Sequence, residues 1–111
     1  MLLLEQIRTN QTEFISLCTA HEVKTLYAFG SVTNDSFLPE SSDIDLLVEI
    51  ENQDPIRRGE QLLALWEKFE VFFNRKVDLI TQTSIKNPIL RQTINASKVL
   101  IYDGKEQKVS C

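Results

Sequence analysis

Apolar residues recur along this chain at two periods, and the switches between them mark out its elements. Leu3, Leu4, Ile7, Phe14, Ile15 and Cys18 share one helical face if Gln11 takes the intermediate turn. That spacing predicts a first helix over about residues 2–20, ending near His21. Thr25-Leu26-Tyr27-Ala28-Phe29 is a short run of strand formers that Gly30 ends. Ser31 is placed to cap a short helix directly afterwards. Residues 34–42 collect Asn34, Asp35, Ser36, Pro39, Ser41 and Ser42 and read as a surface loop.

From Asp43 to Ile50 the pattern alternates strictly. Ile44, Leu46, Val48 and Ile50 fall on one face, with Asp43, Asp45, Leu47 and Glu49 on the other. Asp54 and Pro55 then stand as N-cap and first residue of a helix. Leu62, Leu65, Trp66, Phe69, Phe72 and Phe73 give that helix an apolar stripe over about residues 55–73. Val77-Asp78-Leu79-Ile80 predicts a third strand, residues 86–97 a short helix, and Val99-Leu100-Ile101-Tyr102 a fourth strand. The polar tail over about residues 104–111 reads as frayed. The first two strands lack a full crossover helix between them, so an antiparallel or mixed pairing is expected at least as much as a parallel one. The whole predicts an α+β fold in which a small mixed β-sheet carries helices mainly on one face.

Composition narrows the setting. A chain of 111 residues suits one compact domain, and 42% hydrophobic with 25% charged residues is ordinary for a globular protein. A net charge of −4 without a basic stripe argues against a nucleic-acid surface. Cys18 and Cys111 form no disulfide framework, and no apolar run reaches the length of a membrane span. A cytoplasmic protein with no membrane association is the expectation.

The chemistry concentrates in three acidic side chains. In an extended strand Asp43 and Asp45 point to one side, roughly 6.5–7 Å apart along the chain. Asp78 joins them if its strand lies alongside. Carboxylates about 4 Å apart repel by roughly 4 kcal/mol at an effective dielectric near 20. They either raise one another's pKa or hold a cation. Oxygen-only ligands suit magnesium, which takes a few carboxylates with phosphate oxygens and water. Gly30-Ser31 adds a second element, since glycine lets the backbone approach a phosphate and a serine at a helix start offers a hydroxyl beside free N–H groups. A lone Asp-x-Asp is usually a cap and a solvated charge, and a lone Gly-Ser an ordinary turn. The combination and its order carry the information.

With these residues in place, the chain resembles the minimal nucleotidyltransferases of the DNA polymerase β-like superfamily. Phe29-Gly30-Ser31, then Ser42-Asp43-Ile44-Asp45-Leu46-Leu47-Val48, then Arg75-Lys76-Val77-Asp78-Leu79-Ile80 are similar to its Gly-Ser, Asp-x-Asp and third-Asp signature. Ile94 to Tyr102 is similar to its last helix and strand. The resemblance implies the nucleotidyltransferase fold, with Gly30 and Ser31 holding the triphosphate of ATP. It also implies that Asp43 and Asp45 bind Mg2+, as a pair of ions, and that Asp78 completes the metal site and orients or deprotonates the attacking hydroxyl. Three positions depart from the pattern. Eleven residues separate Ser31 from Asp43 where ten are more usual, Val32-Thr33-Asn34 lacks the basic residue common after Gly-Ser, and Asn74 replaces a frequent glycine. Arg75 and Lys76 are candidates to contribute a basic side chain in its place.

Larger members of the superfamily add a domain for the acceptor, and this chain has no room for one. Among minimal members the resemblance suggests a toxin–antitoxin pair, in which AMP is transferred to a tyrosine of a HEPN-domain ribonuclease toxin. Two other readings stand beside it: a binding module that neutralises its partner without turnover, and nucleotidyl transfer to a small hydroxylated acceptor. His21 is expected as a helix cap and the Trp66-to-Phe73 stripe as core. Glu49 lies too far along its strand to share a metal with Asp45.

Overall fold

Asn10 divides the first apolar stripe into two helices, α1 (Leu2–Thr9) and α2 (Gln11–Ala20), where the spacing predicted one. Its N–H turns back to the Ile7 carbonyl at 3.1 Å, while its own carbonyl accepts the Phe14 N–H at 3.0 Å to start the next helix. The polar run Thr9-Asn10-Gln11-Thr12 is exposed throughout, and across the break Leu3 and Ile7 still join Phe14 and Cys18 in one core. The computed structural model describes residues 2–30 and 43–109. Ser31, the short helix expected after it, the 34–42 loop and Cys111 lie outside them.

The remaining elements are β1 (Val23–Phe29), β2 (Ile44–Ile50), α3 (Pro55–Phe73), β3 (Val77–Ile80), a 3-10 turn (Gln82–Ser84), α4 (Pro88–Ser97), β4 (Val99–Asp103) and β5 (Lys108–Val109). The sheet runs β3-β2-β1-β4-β5. Only the β2–β3 pair is parallel, and the other pairs are antiparallel, which gives the expected mixed sheet. The α3 helix starts where its caps require, with the Asp54 side chain accepting the Ile56 N–H at 3.1 Å and Pro55 in the first turn. It ends at Asn74, in the left-handed region at φ 52°. Asparagine tolerates that conformation, which explains how it stands in for a glycine.

Helices α1, α2 and α3 cover one face of the sheet. Their Leu3, Ile7, Phe14, Cys18, Leu65, Phe69 and Phe73 meet Ile44, Leu46 and Val48 of β2 in the main core. Phe14 stacks on Phe69 with ring centroids 5.6 Å apart. The opposite face carries a smaller cluster of Leu47, Ile85 and Ile94, packed with Tyr27, Phe29 and Ile80. The tail expected to fray instead returns as β5, pairing Val109 with Tyr102 and burying Val109 in the main core. One buried valine and a strand partner outweigh the polar composition around it. Among the described residues, no helix is long and apolar enough to cross a membrane.

Candidate active site

Parallel pairing of β2 with β3 brings the two most informative carboxylates together. The Ile44 N–H bonds to the Lys76 carbonyl at 3.1 Å, and the register that follows sets Asp45 opposite Asp78. Val77 and Leu79 alternate with Asp78 and are buried in the main core, so Asp78 faces the other side of the sheet. Across β2, Asp45 is paired with Phe29, the residue before Gly30. Asp78, Asp45 and Gly30 therefore line up across three adjacent strands, on the face away from α3.

Gly30 is there for a steric reason. Its φ is +75°, and a Cβ built on it would lie 2.6 Å from Oδ2 of Asp45. Only a residue without a side chain lets that carboxylate rest against the backbone. Asp45 is half-buried, and its pKa is raised first by burial, then by the charge of Asp78, then by that of Asp43. Asp43 is exposed immediately before β2. Among the described residues, no three His, Cys, Asp or Glu side chains close into a ready-made metal cage. Magnesium does not need one. It is usually held by one or two carboxylates together with substrate phosphates and water. A half-buried carboxylate beside a second one, set against a glycine backbone, fits that ion.

Other expected assignments fall out directly. His21 caps α2, with Nδ1 2.8 Å from the Leu17 carbonyl oxygen. Glu49 is exposed and pairs with Lys24 at 3.7 Å, outside the carboxylate row. Arg75 is half-buried and Lys76 exposed at the start of β3. One cation had no sequence signal: Lys98, whose ammonium lies 4.2 Å from the centroid of the Tyr27 ring, a ring packed in the smaller cluster. Only the pairing of β4 with β1 brings it there. A groove of about 520 Å3, lined by Glu49, Arg58, Leu62 and Gln82 among others, lies at the far end of β2 from the carboxylates.

Comparison with known proteins bears on the family and the fold. The protein MJ1379 of Methanocaldococcus jannaschii, named as a protein adenylyltransferase, is 40% identical over 83 residues, covering 74% of this chain and 78% of that protein. A solved structure described as a minimal nucleotidyltransferase superposes with a TM-score of 0.60 at 29% identity, covering 86% of this chain and 93% of the other. A toxin–antitoxin structure with AMP-PNP shares the fold at a TM-score of 0.59 and 23% identity, covering 88% of this chain and 77% of its own. The polymerase beta nucleotidyltransferase profile matches residues 12–107. The chain thus belongs to the polymerase beta nucleotidyltransferase family.

Proposed function

We propose that this chain is a single-domain, magnesium-dependent protein adenylyltransferase of the cytosol, an antitoxin that transfers AMP from ATP to a tyrosine of a HEPN-type ribonuclease toxin. The observation that carries the reading is the register of Asp45 against Asp78 beside a glycine at positive φ, where any side chain would be strained. The relative named as a protein adenylyltransferase and the toxin–antitoxin structure holding an ATP analogue support the choice of acceptor.

Asp43, Asp45 and Asp78 would hold the magnesium, which when bound would supply charge neutralisation for the reacting phosphate. Gly30 and Ser31 would receive the triphosphate. The tyrosine oxygen attacks the α-phosphorus in line, a new P–O bond forms, and pyrophosphate leaves. Asp78 orients the attacking hydroxyl or helps to take up the proton it releases.

Incubating the protein with ATP, magnesium and a HEPN-type toxin tests this. The partner should gain the mass of AMP, and Asp43→Ala with Asp45→Ala should abolish the gain. Toxin inhibition that persists undiminished in the double variant would make the protein a binding module instead.

A further inference from the structure

The outer edge of β3 is held in an unusual way. Because the Lys76 carbonyl faces β2, alternation turns the backbone groups of Val77 outward, to the outer edge of the sheet that the described residues form. Edge groups of this kind are ordinarily left to water. Both are taken here by one helix. The Trp66 indole N–H donates to the Val77 carbonyl at 2.6 Å, and the Val77 N–H donates to Oε2 of Glu70 at 3.0 Å. Trp66 and Glu70 are four residues apart on α3, so they form one stripe along the helix. The main-chain carbonyl of Glu70 also accepts the Arg75 N–H at 3.3 Å, tying the end of α3 to the same turn.

A short edge strand needs such a device. β3 spans only Val77–Ile80, and a slip of one residue would exchange Asp78 with a core position. We propose that Trp66 and Glu70 are positioning residues of the nucleotidyl-transfer site, clamping the free edge of β3 so that Asp78 stays opposite Asp45. They act through the strand and touch no reacting atom. The inference rests on the proposed reading of the carboxylates as the transfer site.

Glu70→Ala, Glu70→Gln and Trp66→Phe test it in the full chain with its toxin partner, alongside thermal melts and amide hydrogen exchange. Glu70→Ala should lower kcat roughly ten- to hundredfold, the scale on which a small misplacement of a reacting group acts. KM for ATP should stay within about twofold, since triphosphate binding is not its task. Glu70→Gln should restore kcat, because the amide oxygen accepts the same N–H. Trp66→Phe, which keeps a ring and removes the donor, should fall between. Wild-type kcat in Glu70→Ala overturns the clamp, as does equal impairment of the Gln and Ala variants or a loss that only follows the folded fraction. If the wild-type protein transfers no AMP, the reading of the site falls and the clamp is judged by exchange alone. Amides of Val77 to Ile80 should then lose protection in Glu70→Ala and keep it in Glu70→Gln. Unchanged protection in Glu70→Ala rejects the clamp.

Discussion

The two faces of β2 differ more than their sequences suggest. On one, Ile44, Leu46 and Val48 are sealed beneath three helices and a cluster of phenylalanine rings in mutual contact. On the other, Asp45, Leu47 and Glu49 range from half-buried through buried to exposed within five residues. The first face is uniform because its role is to exclude water. The second is graded because Leu47 packs against Ile94 of α4 while Asp45 keeps part of its surface in solvent, as the proposed metal site requires. A single strand can serve both purposes because its side chains alternate.

Substitutions on the two faces should therefore separate stability from activity. The largest effect is expected on the sealed face. Phe69→Ala should cost about 3–5 kcal/mol of unfolding free energy in a urea titration, with specific activity of the folded fraction retained. Asp45→Asn should do the reverse, lowering AMP transfer roughly a hundred- to thousandfold while the midpoint holds or rises. A fall in stability there would show that the carboxylate is a structural group and would erase the contrast between the faces.

Its pH dependence sharpens the point. Folding raises the Asp45 pKa, so its protonated form favours the folded state. The associated stability is present below the ordinary carboxylate range and lost as pH rises through the raised folded value. Asp45→Asn should flatten that part of a stability–pH curve, and magnesium should stabilise the wild type more than the variant at neutral pH.

Gly30→Ala should come next. The positive φ alone costs about 1–2 kcal/mol, and the new methyl collides with Oδ2 of Asp45, so activity and stability should fall together. Lys24→Ala removes a pair whose members are both more than half exposed at 3.7 Å, and should change stability by less than about 0.5 kcal/mol.

Much of this was legible in the sequence because the patterns were local. The alternation over Asp43 to Ile50 and the Asp54-Pro55 cap each depend on neighbouring residues alone, and both recur in the structure. The break at Asn10 was hidden because one helical stripe and two kinked ones share the same spacing. β5 was hidden because a strand of two residues owes its place to a partner, Tyr102, rather than to its own composition. The carboxylate types could be read directly. Their convergence needed the parallel register of β3, and the cation at Lys98 needed a strand pairing across the sheet.

Trp66 is the lone tryptophan of the chain, and its indole is hydrogen-bonded to the residue immediately before Asp78. The protein thus carries its own optical reporter beside the third carboxylate. A change in emission on adding manganese and nucleotide would follow that carboxylate's surroundings in real time, with no label attached.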